Sequence, residues 1–196
     1  MTNPISLELA KFTHDLSLEK IPLETQIRAK YLMLDAIGCG IAAKNEDFAI
    51  RLTQSILRLA GPGNRTIIGQ AIRLPLRDSA LLNGALMHGL DYDDTHAAGV
   101  AHLSVSTLPT ALAIACDNHA SGSQFLLSYI AGVETGARLA SVVKGGFHQV
   151  GFHPTGLIGA FACALVAGKL LNLDVNQLVG AQGFALSCLL YTSDAA

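Results

Sequence analysis

The chain has 196 residues, a formal net charge of −2, 51% hydrophobic residues, 14% charged residues and no tryptophan. This weak charge leaves no basic surface for nucleic acid, so we expect no nucleic-acid partner. Polar residues interrupt the apolar helical stretches before they reach the roughly 20 residues that a membrane span needs, so we expect buried helices and no membrane partner.

Four cysteines are spread along the chain, at Cys39, Cys116, Cys163 and Cys188. No two of them form a Cys-x-x-Cys pair, so the sequence predicts neither a zinc site nor thioredoxin-like chemistry. We expect them to be small core residues of a reduced, cytoplasmic protein. The N-terminus shows no basic segment followed by an apolar one, so no secretion signal is expected.

The first part of the chain predicts helices separated by short turns. We expect a short helix over residues 5–15, a long one from Pro22 to Lys44, and an amphipathic one from Phe48 to Leu59. Glycine and proline at residues 61–65 predict a turn. Residues 66–69 are then either a short strand or an extended link.

The remaining predicted elements are also helical. They cover residues 77–90, 104–119, 124–143, 156–171 and 175–190. We expect residues 121–123 to cap the helix that begins at residue 124, and Asp174 to cap the helix that begins at residue 175. The predicted fold class is therefore all-α, a multi-helix domain of buried helices rich in small residues.

The end of the chain differs from the rest. Residues 191–196 neither continue the pattern of the last helix nor provide a natural cap, so we expect a non-native tail there. The domain is accordingly predicted to cover residues 1–190.

The helix predicted to begin at residue 77 leads into an unusual concentration of chemistry. Three carboxylates, a hydroxyl and an imidazole occur within six positions, at Asp91, Asp93, Asp94, Thr95 and His96. Buried acids must be hydrated, paired or protonated. If the helix continues to Thr95, His88, Asp91 and Thr95 share one face and Asp93 points elsewhere. This face is a candidate site.

Two loops carry further histidines. Residues 97–101 are small and irregular, and we expect them to fold His102 back toward Asp91. Residues 147–156 form a glycine-flanked loop that contains His148 and His153. Histidine changes protonation near neutral pH, so both loops are candidates for acid–base chemistry.

The chain resembles the MmgE/PrpD family, which includes 2-methylcitrate dehydratase and cis-aconitate decarboxylase. The resemblance covers about residues 5–190. It rests on Asn83-Gly84, His88, the run from Asp91 to His96, His102, and the run from Gly151 to Gly156. The resemblance implies the helical first domain of a longer, homodimeric lyase that uses no cofactor and acts on small di- or tricarboxylates.

The resemblance also implies site residues. By position in the family motifs, the catalytic residues are Asp91, Thr95, His102 and His153. Leu103 stands where the family commonly has a proline, which makes the alignment of His102 less direct. The family's catalytic lysine and a further histidine lie beyond this chain's last residue, so we expect this fragment to be inactive alone.

The acid–base groups among the candidate residues suit the reaction of a lyase. Dehydration of a β-hydroxy acid needs a base at carbon and an acid at the leaving hydroxyl, whereas decarboxylation needs a donor that protonates the carbanion. A polyanionic substrate needs cations, and Lys144 is a candidate substrate-binding residue, as is His88 beside the pocket. No metal ligands are predicted. We expect Asp93 and Asp94 to have structural or supporting roles.

Two alternatives remain. Acid-rich motifs on all-α folds can bind Mg²⁺ for isoprenoid diphosphates, but that chemistry favours aromatic walls, and only 6% of this chain is aromatic. The other alternative is a catalytically inert helical fragment that serves in dimerisation. The remaining histidines, His96, His119 and His148, are expected to be mostly structural.

Overall fold

The computed structural model describes residues 4–193, and its helices confirm the predicted all-α class. The elements before the candidate site are α1 (Ile5–Asp15), a 3-10 turn (Leu18–Lys20), α2 (Leu23–Ala43), α3 (Asp47–Leu59), β1 (Arg65–Ile67), β2 (Gln70–Leu74) and α4 (Leu76–His88). Those after it are α5 (Ser104–Asp117), α6 (Gly122–Ser141), α7 (Gly146–Gln149), α8 (Pro154–Leu170) and α9 (Val175–Ser193).

The two strands form a small antiparallel hairpin that the sequence only half predicted. Arg65 pairs with Leu74, and the register shifts by a bulge after Thr66. The hairpin is attached to α4 by the buried amide of Asn83, which accepts from the Ile68 amide at 2.9 Å and donates to the Thr66 carbonyl at 3.0 Å. Asn83 of the sequence motif therefore has a structural role.

The hydrophobic core lies where α2, α4, α5 and α6 meet. Met33, Met87, Leu108 and Tyr129 belong to one buried cluster there. Burying each of these large side chains contributes about 1.5–3 kcal/mol relative to exposure. This packing fixes the C-terminal end of α4 and the N-terminal end of α5, which flank the acidic motif.

Helix α8 covers the other side of α5, and α1 and α9 pack outside it. Val166 and Leu170 pack against Ile114 of α5, while Leu165 contacts a cluster that contains Ala10 and Leu178. The start of α8, which follows His153, is thereby held beside the start of α5.

The caps predicted for α6 and α9 are both confirmed. The Ser121 hydroxyl accepts from the Gln124 amide, and the Gln124 side chain accepts from the Ser121 amide, which forms a capping box. Asp174 and Gln177 make the same reciprocal pair before α9. Each box satisfies two backbone donors that a helix start otherwise leaves unpaired.

Other predictions need correction. Helix α9 continues to Ser193 instead of ending near residue 190; residues 194–196 lie outside the described residues, and the non-native tail stays a prediction. Cys116 and Cys188 are exposed, so they are not core residues, whereas Cys39 is buried. None of the helices within residues 4–193 is long and apolar enough to cross a membrane.

Candidate active site

Helix α4 ends at His88, earlier than predicted, and the chain turns sharply there. The Asp91 amide donates to the His88 carbonyl at 2.8 Å, and Asp91 has a φ of 53°. Aspartate tolerates this left-handed conformation better than most residues, and here it redirects the chain after the helix has ended. The prediction that His88, Asp91 and Thr95 share a helix face is therefore wrong.

A tight loop brings the chain back to this turn, as predicted. The His96 amide donates to the Ala101 carbonyl at 2.8 Å, which closes the loop. Gly99 packs so tightly that a Cβ there would lie 2.2 Å from Cβ of Ala140. As a result, Nε2 of His102 lies 3.5 Å from Oδ1 of Asp91.

Asp93 lies at the centre of the cluster, contrary to the prediction that it points elsewhere. Its side chain is 0% exposed. Oδ1 lies 3.0 Å from Nδ1 of His88, and Oδ2 lies 3.0 Å from Nδ1 of His102. One buried carboxylate thus contacts two imidazoles, whose ring centroids are 4.8 Å apart.

These contacts determine which ring nitrogens are available. When Asp93 is ionised, its carboxylate can only accept hydrogen bonds, and Nδ1 of His88 and Nδ1 of His102 then each carry a proton. The Nε2 atoms are then free to accept a proton or to donate one when the ring is charged. Asp93 therefore orients both rings, as a carboxylate behind a catalytic imidazole does.

His153 joins this cluster from the start of α8. Its ring centroid lies 6.1 Å from that of His88 and 5.8 Å from that of His148. Desolvation by burial lowers the pKa of His153, and the neighbouring His88, His148 and His102 lower it further. A neutral imidazole at pH 7 is a potential proton acceptor.

Thr155, which was not among the predicted site residues, links the segments that carry His102 and His153. Its buried hydroxyl accepts from the His102 backbone amide at 3.0 Å. This bond ties the loop before α5 to the first turn of α8, two residues after His153. The residue was visible in the Pro-Thr-Gly motif, but the motif gave no indication of its partner.

Exposure increases outward across the cluster. Asp93 is fully buried, the side chain of His102 is 15% exposed and that of Asp91 is 80% exposed. The cluster is therefore an open surface site with a buried carboxylate at its base.

Thr95 and Lys144 are linked to the histidine cluster less closely than the histidines are linked to one another. The Thr95 hydroxyl donates to the Asp93 carbonyl at 3.3 Å, and Thr95 lines a cavity of about 540 Å³ together with Arg28 and Asp35. Lys144 is exposed in the turn after α6. Among the described residues, Lys144 makes no hydrogen bond or ion pair with the cluster, so its binding role stays a prediction.

Asp94 lines the same cavity as Thr95 and Asp35, which neither His88 nor His102 lines. Burial raises the pKa of its carboxyl group; hydrogen bonding from Ser104 opposes the shift, and the negative charge of Asp93 adds to it. Oδ1 of Asp94 is buried without a hydrogen-bond partner among the described residues. Ser104 also contacts the hydroxyl of buried Tyr129 at 2.5 Å. These contacts fit the structural role predicted for Asp94.

One set of residues has the geometry of a metal site, although none was predicted. One ligand atom from each of His88, Asp91 and His102 lies within 4.8 Å of the others. Both histidines and the acid also belong to the acid–base cluster, so metal binding and proton transfer are alternative uses of the same atoms.

Comparison with known proteins identifies the family. The model of the MmgE/PrpD N-terminal domain matches residues 7–189. The chain belongs to the MmgE/PrpD family. The match covers both histidine loops and the acidic motif, which accords with the resemblance that those motifs indicated.

Several curated relatives are similar to this MmgE/PrpD chain. Human cis-aconitate decarboxylase is 32% identical over 95% of the chain and 40% of its own length. The cis-aconitate decarboxylase-like protein oryM of Aspergillus oryzae is 30% identical over 92% of the chain and 39% of its own length. Cis-aconitate decarboxylase of Aspergillus terreus is 28% identical over 92% and 38%. The chain thus spans about two fifths of the length of these relatives.

Proposed function

We propose that the protein is a lyase, without a cofactor, that moves a proton at a carbon next to a carboxylate of a small di- or tricarboxylate. The observation that carries this proposal is the contact of Asp93 with both His88 and His102. It gives two oriented imidazoles whose Nε2 atoms are free for proton transfer. Asp91 and His153 border the same cluster.

Both reactions of such a lyase can use these groups. In decarboxylation, the bond from carbon to the departing carboxylate breaks, CO₂ leaves, and the electron pair on carbon takes a proton from the His102 imidazolium. In dehydration, neutral His153 removes a proton from carbon, the pair forms a double bond, and hydroxide leaves with a proton from His102. A positioned acid or base contributes typically 10²–10⁴-fold in either case.

The names of the relatives favour one substrate as the first to test. Three relatives at 28–32% identity are named as cis-aconitate decarboxylases or as similar to them. We therefore propose cis-aconitate first and 2-methylcitrate second. Thr95 and Lys144 remain proposed contributors to catalysis and to substrate binding, respectively.

The Mg²⁺-dependent diphosphate alternative fits the site poorly. Such a motif needs several carboxylates that are free to bind Mg²⁺. The Asp93 side chain is fully buried, and both of its oxygens contact histidines. Asp94 is partly buried and lines a cavity that Asp91 does not line. This leaves Asp91 as the exposed acid of the three.

We also propose that the protein is a homodimer that pairs through α2. Five apolar side chains at helical spacing are exposed along one side of this helix: Leu23, Ile27, Tyr31, Leu34 and Ile41. A contiguous exposed apolar surface of this kind marks an interaction site, and a stripe along one helix suits a two-fold contact with a second copy. Leu34→Lys should give a monomer in sedimentation, whereas Leu59→Lys on α3 should not.

The activity test uses a protein that includes this chain in full. Cis-aconitate and 2-methylcitrate are supplied in turn, with CO₂ release and ultraviolet absorbance followed together. Decarboxylation releases CO₂, whereas dehydration produces a new double bond without it. If a folded protein consumes neither substrate, the proposal is contradicted.

A pair of variants then tests the site. Asp91→Asn or His102→Ala should lower turnover at least about a hundredfold. His119→Asn is the control, because His119 follows the far end of α5, about 20 Å from His102 along the helix. Near-normal turnover in both site variants would remove these residues from the mechanism.

A further inference from the structure

We propose that His88, Asp91 and His102 form a binding site for a divalent first-row transition-metal ion, and that the bound ion blocks the acid–base groups. The binding site is inferred from geometry alone. The blocking effect rests on the proposed function, in which the same residues transfer protons.

The three side chains are close enough to share one ion. Their ligand atoms lie within 4.8 Å of one another, and Nε2 of His102 is already 3.5 Å from Oδ1 of Asp91. Bonds from a central ion to imidazole nitrogen or carboxylate oxygen are about 2.0–2.2 Å, so small side-chain movements are sufficient. The 80% exposure of the Asp91 side chain leaves it free to make them.

The second observation is the buried carboxylate behind both imidazoles. Histidines that bind metals almost always donate their other ring N–H to a carboxylate, a carbonyl or water. Here the Asp93 carboxylate lies 3.0 Å from Nδ1 of both His88 and His102, where it can accept a hydrogen bond from each. The remaining nitrogen of each ring is Nε2, whose lone pair can then bind an ion.

The donor set selects the class of metal. Two imidazoles and one carboxylate suit Zn²⁺, Co²⁺, Ni²⁺ and Fe²⁺, and such three-ligand sites leave positions open for water or for a carboxylate. Mg²⁺ and Ca²⁺ prefer oxygen ligands, so we expect them to bind much more weakly. His153 lies further out, with its ring 6.1 Å from that of His88.

Binding is measured on the chain itself with Co²⁺, whose visible absorption strengthens when it leaves the six-water complex. Zn²⁺ should then displace Co²⁺, and Mg²⁺ should not. Asp91→Asn is the main variant because this exposed position can change without unfolding the chain. We expect it to weaken Co²⁺ binding at least about tenfold, and Asp93→Asn to weaken it about 10–100-fold.

The control removes the obvious competing ligands. Cys116 and His119 are both exposed and close in sequence, so the double variant Cys116→Ser/His119→Asn tests adventitious binding. We expect it to leave the spectrum and affinity unchanged. Equal affinity in Asp91→Asn and the parent, or a thiolate charge-transfer band lost in the double variant, would overturn the site.

Inhibition is a separate measurement on the active protein. Zn²⁺ should raise the apparent KM for the carboxylate substrate, and a chelator should restore it. If no substrate is turned over, the proposed function fails, while the Co²⁺ spectrum still decides the metal site. If Zn²⁺ occupies the site and turnover continues unchanged, the blocking effect is wrong.

Discussion

The buried carboxylate of Asp93 lies 3.0 Å from Nδ1 of His102, and this contact joins the acidic loop to the start of α5. Its other oxygen makes the same contact with His88 at the end of α4. Asp93 therefore holds together two helix ends and orients two imidazoles. Its position makes it the residue on which the geometry of the candidate site most depends.

The first prediction concerns Asp93→Asn. The amide cannot accept through both of its terminal atoms, so at least one imidazole loses its acceptor and can adopt the other tautomer. We expect kcat to fall by about 10²–10⁴-fold with a smaller change in KM, because substitutions of this type disturb proton transfer more than binding. Steady-state kinetics on the proposed substrates measures both values.

The matched control for that variant is Asp94→Asn. Asp94 is the next residue and lines a cavity that neither His88 nor His102 lines, so the turnover of this variant should stay within about tenfold of the parent. Equal losses in both variants would mean that the loop needs its charges in general. A normal kcat in Asp93→Asn would exclude the orienting role.

The sequence predicted most of the helices and the loop before His102 correctly because these depend on local patterns. Residues 147–156, predicted to be one loop, instead contain most of α7 (Gly146–Gln149) and the start of α8. Hydrophobic periodicity located α1, α2, α3, α5, α6, α8 and α9 to within a few residues, and the Ser121 and Asp174 caps are visible as short motifs. The small residues before His102 correctly predicted a loop that returns toward Asp91.

The central position of Asp93 was not predictable in the same way. The shared face of His88, Asp91 and Thr95 was predicted on the condition that α4 continues to Thr95, whereas a left-handed residue at Asp91 redirects the chain. That single backbone conformation changes which face each later side chain occupies. The partner of Thr155 is likewise 53 residues away in sequence, and no local pattern identifies such a contact.

The second prediction concerns Thr155→Val. The substitution keeps a similar shape but leaves the His102 amide without its acceptor. The bond is partly buried, and an intramolecular hydrogen bond contributes about 0.5–1.5 kcal/mol net, so the free energy of unfolding should fall by about that amount. Denaturant titration measures it. Thr25→Val, at an exposed position on α2, should change stability by less than about 0.5 kcal/mol; equal effects would argue against a special role for the bond.

The third prediction concerns Gly99→Ala. A methyl group at Gly99 would lie 2.2 Å from Cβ of Ala140, so the loop before His102 must move. Overpacking of this kind costs about 1–3 kcal/mol, and displacement of His102 should also lower kcat. Gly61→Ala is the control because a Cβ there meets nothing within 4 Å. If both variants behave like the parent, the Gly99 contact does not position His102.

The fourth prediction is a pH dependence of stability caused by Asp94. Burial raises the pKa of its carboxyl group above the usual aspartate value of 3.8, so the folded chain holds this proton more tightly than the unfolded chain does. As pH rises above 3.8, the unfolded state releases the proton first, and folding becomes progressively less favourable. The penalty is complete above the folded-state pKa and is absent well below 3.8.

Asp94→Asn removes this titration while keeping the shape of the side chain. The variant should therefore be more stable than the parent at pH 7, and the difference in unfolding free energy should shrink as the pH is lowered toward 3. Thermal or denaturant unfolding at several pH values measures this difference. If the stability advantage of the variant instead grows as the pH is lowered, the ionised carboxylate is stabilised in the fold. In that case a favourable interaction of the charged form would outweigh the effect of burial.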